Sequence, residues 1–217
     1  EPRGLLRVTA PADIGDHILA DIINQMRRHC PEVSVDMVLM SHSVDLVAEG
    51  VDVAIRTGNL KDSTLIAKNV GIARWALFAS PTYLEKAAAR ATPQALRRHC
   101  CLQFTPLGKE DWTLTNKHDS VTVPMSGQVL VNDVRVIRSL ALADEGVALL
   151  PLYLCKQECT EGRLVRVLPE WHAKADPIHI VYPRQRFMPS KLRVFVDLAS
   201  SELHKWLEET PETPLPG

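Results

Sequence analysis

The sequence of 217 residues contains no run of about 18 apolar residues, the length that a membrane-spanning helix requires. It also has no excess of charge, because 25 Lys and Arg stand against 26 Asp and Glu and the formal net charge is −1. A surface so balanced lacks the basic patch that binds nucleic-acid phosphates. The composition therefore predicts a domain that spans no membrane and does not itself bind DNA or RNA.

Motifs of the common nucleotide-binding and catalytic sites are also missing. The glycines form neither GxxxxGK[ST] nor GxGxxG, so no phosphate-binding loop is predicted. Ser41-His42-Ser43 resembles part of a hydrolase site, but no GxSxG motif accompanies it. We therefore expect no catalytic residue, no enzyme activity and no cofactor.

The number of cysteines is odd, and their spacing is not that of a disulfide framework, which indicates a reducing compartment. Two interpretations of the cysteines stay open, a metal site and free thiols. A metal site is conceivable because two cysteines lie four residues apart and a histidine precedes an adjacent pair. Because no CxxC pair occurs, we expect free thiols and no metal. The residues concerned are Cys30, His99, Cys100, Cys101, Cys155 and Cys159.

The first third of the chain alternates strands and helices. Apolar, β-branched runs predict the strands, and helical spacing of apolar residues predicts the elements between them. The order β-α-β-α-β predicts a parallel sheet with right-handed crossovers. The predicted elements are a strand at 5–11, a helix that Asp13 or Asp16 caps and Pro31 ends, a strand at 33–40, a short helix closed by Gly50, and a strand at 51–55.

The pattern changes after residue 73. The segments 111–116 and 121–131 are predicted to be antiparallel additions to the sheet. The other predicted strands are 74–80, 101–105, 147–151, 164–169 and 177–183, and the predicted helices are 81–89, 91–99, 133–146 ended by Gly146, 152–162 and 190–206. The Pro- and Glu-rich tail at 208–217 is expected to be loose.

Three strands of the first third end on polar or small residues, at Thr9-Ala10-Pro11, Ser41-His42-Ser43 and Arg56-Thr57-Gly58. In a parallel sheet, ligands bind at the carboxyl ends of the strands, and the following helix adds its amino-terminal amides. The strand ends are therefore a candidate ligand site. The alternative, a turn at Thr57-Gly58 with a solvated Arg56, stays open at this stage.

Six segments, taken in order, resemble the effector-binding region of LysR-type transcriptional regulators over nearly the whole chain. They are PRGLLRVTAP, VDLVAEGVDVAIRTGNLKDSTLIAKNVG, ASPTYLEKA, ADEGVALLP, GRLVRVLPEW and VYPRQRFMPSKLRVFVDL. The resemblance implies an α/β fold like that of type-two periplasmic binding proteins, with two Rossmann-like subdomains joined by two crossing strands. The implied bounds are 1–73 with 184–217 for the first subdomain and 74–183 for the second.

The resemblance also implies a function. We expect a cytoplasmic sensor that binds a small-molecule effector in the cleft between subdomains, assembles as a homodimer or homotetramer, and touches DNA only through an N-terminal winged helix-turn-helix absent from this sequence. The first residue, Glu1, agrees with an excised piece of a longer protein. The alternative is a periplasmic solute-binding protein of the same fold.

The effector site carried over by position has two departures from the family pattern. Asp13 stands where the family often has Ser or Thr, and Ser41-His42 stands where it often has Asp-Arg. Both disfavour a simple carboxylate effector, and since an unperturbed histidine titrates near neutral pH, His42 suggests pH-dependent binding. The site residues are Ala10, Pro11, Ala12, Asp13, Ile14, Ser41, His42, Arg56, Thr57, Gly58, Phe104, Thr105, Asn132, Asp133, Gly146 and Val147.

Two finer expectations follow. Because side chains alternate along a strand, we expect Thr57 to face the effector and Arg56 the rim or a structural partner. The helix at 16–29 carries apolar residues over a wide arc, more than one core face needs. By resemblance, it packs near the helix at 135–145 of a second copy in an antiparallel, two-fold dimer.

Overall fold

The computed structural model describes residues 1–14, 18–40, 45–60, 64–87, 92–108, 111–125 and 128–208. The chain divides into two compact units. Among the described residues, unit 1 comprises Glu1–Ala73 and 176–208, and unit 2 comprises Arg74–Ala175. The second boundary lies before the predicted 183/184, because Ile178 to Val181 pair with a strand of unit 1.

The strands of unit 1 follow the order β2-β1-β3-β11, and β4 (Leu65–Ala79) is the next neighbour of β11. The strands are β1 (Gly4–Ala10), β2 (Val33–Leu39), β3 (Val53–Thr57) and β11 (Ala175–Pro183). The pairs of β1 with β2 and with β3 are parallel, as the sequence predicts, and β11 runs antiparallel to β3.

The helices of unit 1 are the short turn α1 (Ala12–Ile14), α2 (Ala20–His29) and α6 (Ser190–Glu208). α2 packs against both α6 and β2. These two neighbours cover much of the apolar arc. That α2 also packs on a second copy stays a prediction. Ile18, Leu19, Ile22 and Met26 are buried, and Ile23 is half-buried.

The short helix predicted before β3 is a single closed turn in the described residues 45–50. The Asp45 carboxylate accepts hydrogen bonds from the amides of Val47 and Ala48 at 3.0 and 3.2 Å. Gly50 adopts φ +62°, and Val51 N–H donates to Leu46 O at 2.8 Å. This left-handed glycine closure ends the turn before a helix can extend.

β4 (Leu65–Ala79) passes from unit 1 into unit 2 and is longer than the predicted strand at 74–80. Residues 65–73 mix exposed and buried side chains without regular alternation and include Gly71. The regular alternation that marks a strand in a sequence is therefore absent there. β11 also crosses between the units, at Ala175/Asp176, and there the chain passes from unit 2 back into unit 1.

Unit 2 has a second set of strands, in the order β8-β5-β9-β4, with β10 also paired to β4. They are β5 (Cys101–Phe104), β8 (Val129–Val131), β9 (Val147–Pro151) and β10 (Val165–Val167). β5 is parallel to both β8 and β9. The prediction that 121–131 adds only antiparallel strands is therefore wrong for β8. β6 (Asp111–Thr115) and β7 (Ser120–Pro124) form a separate antiparallel hairpin.

The remaining elements of unit 2 follow the predicted order. α3 begins with its proline, and 3-10 helices replace some predicted α-helical turns. They are α3 (Pro81–Ala87), α4 (Val134–Leu142), α5 (Lys156–Thr160) and 3-10 helices at Pro93–Arg98, Thr105–Leu107 and Leu152–Cys155. Among the described residues, no helix of either unit is long and apolar enough to cross a membrane.

The end of α4 differs from the prediction that Gly146 terminates it. Asp144 adopts the left-handed conformation at φ 64° and turns the chain. Gly146 instead allows two backbones to meet, because a Cβ there would lie 2.2 Å from Cys100 O. The next amide, Val147 N–H, donates to the same carbonyl at 2.8 Å.

We expect Gly146→Ala to destabilise the fold by about 1–3 kcal/mol or more, since the added methyl meets backbone that cannot rotate away. Chemical unfolding measures the loss. Gly162→Ala is the control, because a Cβ there meets open space and only the positive φ of 70° opposes it. A loss for Gly146→Ala no larger than that for Gly162→Ala would contradict the close-approach explanation.

Candidate functional site

The strand ends of unit 1 converge on one edge of its sheet. Ala10 pairs with Leu39, and Met40 N–H donates to Ala10 O at 2.9 Å, so β1 and β2 end together. Thr9 pairs with Ala54, so Thr57 at the end of β3 is carried to the same edge. The predicted convergence is present for β1 and β3. Ser41 and His42, which follow β2, lie outside the described residues and remain a prediction.

Arg56 and Thr57 lie on opposite faces of β3. Arg56 is directly opposite His179, Thr57 is opposite Ile178, and the buried Ile55 is opposite Ile180. Thr57 therefore shares the face of Ile55, and its side chain is exposed, whereas Arg56 is half-buried on the other face. The half-burial of Arg56 is not what a fully solvated side chain would show. Their assignment to effector and rim remains a prediction.

Gly58 completes the turn after β3. Its φ is +87°, a conformation that glycine adopts without steric cost, and its N–H donates to Pro177 O at 2.8 Å. The turn reading of Thr57-Gly58 is therefore correct for the backbone. It leaves the exposed Thr57 hydroxyl at the strand end, so the turn and the ligand site are compatible.

The start of the chain after β1 completes this edge. Pro11, Ala12 and Asp13 are half-buried, and Ile14 is buried. Asp13 lies in the short turn α1, whose three residues are too few to form a helix dipole of any strength. The end of the sheet in unit 1 therefore carries a carboxylate, a threonine hydroxyl and an arginine, so it has charges of both signs.

In unit 2, Phe104 and Val131 are paired, so the ends of β5 and β8 lie side by side. Thr105 and Asn132 follow them directly. The Phe104 ring stacks on Trp75, with ring centroids 5.8 Å apart and an angle of 16° between the planes. Four predicted residues, Phe104, Thr105, Asn132 and Asp133, thus lie at one sheet edge.

Asp133 has a structural role at that edge. Its carboxylate accepts hydrogen bonds from Arg135 N–H at 2.9 Å and from Arg135 Nη2 at 2.7 Å, and it caps α4. The hydrogen bonds from Arg135 hold the pKa of the Asp133 carboxyl below its ordinary value. The group is therefore charged at neutral pH and paired with a cation.

Gly146 and Val147 are not brought to this edge. Cys101 at the start of β5 pairs with Val147, so Val147 lies at the amino end of the parallel strands and Phe104 at the carboxyl end. Both residues are buried. The same register places Leu150 and Pro151 toward the Phe104 edge, and sequence reasoning missed them. The available signal was the parallel direction of the predicted strand 147–151, whose carboxyl end is Pro151.

All five cysteines are free thiols. Burial raises the pKa of Cys101 to about 12 and that of Cys159 to about 11, and it raises the pKa of the fully buried Cys155 well above the ordinary range. Such thiols are protonated at neutral pH and unreactive. In the part of the chain that the structure describes, no cluster of three His, Cys, Asp or Glu side chains has the arrangement of a metal site.

A family model, the LysR substrate binding domain, matches residues 1–203. The chain belongs to this family. The fold is accordingly the two-subdomain α/β fold of LysR regulatory domains, like that of type-two periplasmic binding proteins, as the sequence predicts. The match supports a regulatory domain and not the alternative of a periplasmic solute-binding protein.

Similar proteins are transcriptional regulators by name. The HTH-type transcriptional regulator PtxR of Pseudomonas aeruginosa is 33% identical over 198 residues, which is 91% of this chain and 64% of that protein. The HTH-type transcriptional regulator CrgA of Neisseria meningitidis serogroup C is 30% identical, over 93% of this chain and 68% of that protein. The chain spans 64%, 60% and 66% of three such relatives, so it corresponds to about two thirds of their length or less.

Solved structures agree with this placement. The CrgA regulatory domain from N. meningitidis has a TM-score of 0.82 at 28% identity, covering 93% of this chain and 100% of that one. Full-length AphB of Vibrio cholerae, described as a virulence activator, also has a TM-score of 0.82, at 26% identity, covering 92% of this chain and 68% of that one. This chain is therefore similar to regulatory domains as a whole.

Replacing Asp133 with Ala should lower the free energy of unfolding by about 0.5–2 kcal/mol at neutral pH, the usual effect of losing a helix cap. Because the folded pKa is lowered, this stabilisation is present above the unfolded value of 3.8 and is lost as pH falls through the folded pKa. Urea unfolding of wild type and variant against pH measures it. The exposed Asp119→Ala is the control; equal losses in both variants would contradict the capping role.

Proposed function

We propose that this chain is the effector-sensing part of a longer LysR-type transcriptional regulator, and that a small molecule binds at the carboxyl ends of the parallel strands of unit 1. The family match to residues 1–203 supports the regulatory role. The convergence of β1 and β3 is the structural observation that supports the location, because it gathers hydrogen-bonding groups at an exposed sheet edge.

The chemistry of that edge suits a polar ligand. Thr57 offers a hydroxyl, the left-handed Gly58 lets backbone come close to a ligand, and Asp13 adds a carboxylate that an ionised carboxylic acid would face with repulsion. An effector with a neutral hydrogen-bonding group toward Asp13 therefore fits better than a simple dicarboxylate. His42 would add a titratable group if it reaches the same edge.

The effector acts by favouring one of two states. A ligand shifts such an equilibrium only through its differential affinity, typically about 1–3 kcal/mol of coupling. A ligand that bound both states equally would change nothing, however tightly it bound. If the domain is a sensor, effector binding should therefore change its hydrogen-exchange rates or its unfolding.

DNA contact belongs to the part of the protein outside this sequence. The net charge of −1 gives this domain no electrostatic attraction for phosphates. The names of PtxR and CrgA describe HTH-type regulators, and we extend that arrangement to the protein that contains this chain.

We further propose that the domain forms a homodimer and that α4 contributes to the interface. Val136 on α4 is 45% exposed, and Leu130 on the neighbouring edge strand β8 is 44% exposed. On unit 1, Val38 and Leu39 of the edge strand β2 are 46% and 42% exposed. Edge strands with exposed apolar side chains favour pairing with another chain, and a two-fold dimer would cover both.

The effector proposal is tested with a thermal-shift screen of small organic acids and aromatic compounds, followed by affinity measurements on Thr57→Val. That change keeps the shape of the side chain and removes a hydrogen-bonding group. A direct contact should therefore cost about 0.5–1.5 kcal/mol, or up to about tenfold in affinity. The exposed Thr122→Val, on the hairpin of unit 2, is the matched control.

Two results would count against it. Unchanged affinity in Thr57→Val together with a large loss in a folded Arg56→Ala would mean that the two residues have exchanged roles. A ligand whose affinity is unchanged in both variants would bind away from this edge.

The dimer is tested by sedimentation at micromolar concentration. Wild type should sediment as a dimer, and Val136→Arg should dissociate it, because a desolvated charge would face an apolar partner. Val47→Arg is the control, since Val47 is 69% exposed in the turn before β3. A wild-type monomer over the whole micromolar range would rule the dimer of this domain out.

A further inference from the structure

A hydrogen-bonded pair in unit 2 is not used by the proposed function. Tyr83 on α3 has its Oη 3.2 Å from His99 Nδ1, and the rings lie 5.8 Å apart between centroids. Cys100 N–H donates to the same Tyr83 Oη at 3.1 Å. His99 is only 8% exposed, and it stands between the 3-10 helix Pro93–Arg98 and the start of β5.

The direction of the protons in this pair follows from Cys100. A backbone N–H is always a donor, so Tyr83 Oη accepts from Cys100. The phenol proton is then free to be donated, and His99 Nδ1 is the acceptor within reach. The arrangement in which Tyr83 donates to Nδ1 corresponds to a neutral His99 with its own proton on Nε2, and burial, which lowers the pKa of His99, favours this neutral form.

We propose that the Tyr83–His99 hydrogen bond is a proton-sensitive latch, which holds the start of β5 to α3 while His99 is neutral and opens when His99 Nδ1 takes up a proton. Protonation turns Nδ1 from an acceptor into a donor. The phenol can then no longer donate to Nδ1, and its proton has to rotate away. Oη would have to accept from the imidazolium and from Cys100 N–H together, which weakens its hold on Cys100. The latch is a property of unit 2 and does not depend on which effector the domain binds.

Burial makes the protonated state costly. It lowers the pKa of His99 below the ordinary value of 6.5 and raises that of Tyr83, so the phenol stays a donor throughout the neutral range. The strand β7, which packs on the 3-10 helix, has no titratable side chain. The titratable groups on the other surrounding elements are Glu85 and Lys86 on α3, Arg97 and Arg98 on the 3-10 helix, Cys100 and Cys101 at β5, and Asp144 and Glu145 after α4.

The two carboxylates after α4, Asp144 and Glu145, do not pair with a protonated His99. Asp144 accepts a hydrogen bond from Ser80 Oγ at 2.6 Å and lies 3.8 Å from Lys86 Nζ, so it is already engaged. Glu145 acts on the Cys100 thiol, whose pKa burial and this charge both raise. Arg97 and Arg98 are exposed, and burial is the cause of the lowered pKa of His99.

Loss of the Tyr83–His99 hydrogen bond would affect the candidate site edge of unit 2 through β5. The Cys100 carbonyl accepts from Val147 N–H and abuts Gly146, so the residue that Tyr83 holds also joins β5 to β9. β5 then runs from Cys101 to Phe104, whose ring stacks on Trp75 at the other end. Loosening at Cys100 therefore affects the strand that carries Phe104 and Thr105.

The sign of the pH dependence is fixed by the lowered pKa. The folded chain binds the His99 proton less readily than the unfolded chain, so the contribution of His99 to stability is complete above pH 6.5 and is lost as pH falls through the folded pKa. His179 also has a pKa lowered by burial, so it contributes a pH dependence of the same sign. The experiment has to separate the two.

The test follows the imidazole proton signals by NMR and the thermal midpoint between about pH 8 and pH 5. The variants are Tyr83→Phe and His99→Gln, with His179→Gln and the exposed His118→Gln as matched controls. Tyr83→Phe removes the donor to Nδ1 and should raise the proton affinity of His99 by about two- to tenfold. In His99→Gln, the glutamine accepts a hydrogen bond from Tyr83 and does not titrate. The thermal midpoint of this variant should therefore fall less on acidification than that of wild type.

Either of two results would overturn the latch. The first is a His99 titration that is the same in wild type and in Tyr83→Phe. The second is an acid-induced fall in the midpoint that persists in His99→Gln and disappears in His179→Gln, which would place the sensitive group on β11. Should His99→Gln not fold, the titrations of wild type and Tyr83→Phe decide the question on their own.

Discussion

The parallel register of β1 against its two neighbours is the constraint on which unit 1 depends. Ala10 is level with Leu39, and Thr9 is level with Ala54, so the strands end at the same edge. A slip of one residue would turn every buried side chain of β1 to the wrong face. The same register that secures the core also leaves Thr57 exposed at the strand end, so the core and the proposed ligand site depend on one set of backbone hydrogen bonds.

Unit 2 depends on a corresponding contact between backbones. Gly146 lies against the Cys100 carbonyl so closely that no Cβ fits, and Val147 N–H bonds to that carbonyl. This contact aligns β9 with β5. It also gives Gly146, which stands in a recognisable motif, a packing role at the amino end of the strands. The Tyr83 hydroxyl binds the same residue from its amide side.

Unit 2 also contains a buried glutamate that lies near two arginines. Glu158 is 5% exposed and lies 3.6 Å from Arg138 on α4 and 3.8 Å from Arg163, which follows α5. Such a cluster rarely adds net stability over an apolar core, but removing one partner leaves a buried charge unpaired. Arg138 also donates to Leu154 O at 3.2 Å. The cluster thus fixes the position of α4, the helix whose Val136 remains exposed.

The sequence by itself determined the family, the order of most strands and helices, and the polar ends of β1 and β3, because each rests on local spacing or on residues that are contiguous in the chain. Only the tertiary structure decided that β8 is parallel to β5, that residues 65–73 form a strand, and that Val147 lies at the edge opposite Phe104. The physical reason is that a strand's direction and register depend on partners distant in sequence, and local propensity carries no information about which partner is chosen.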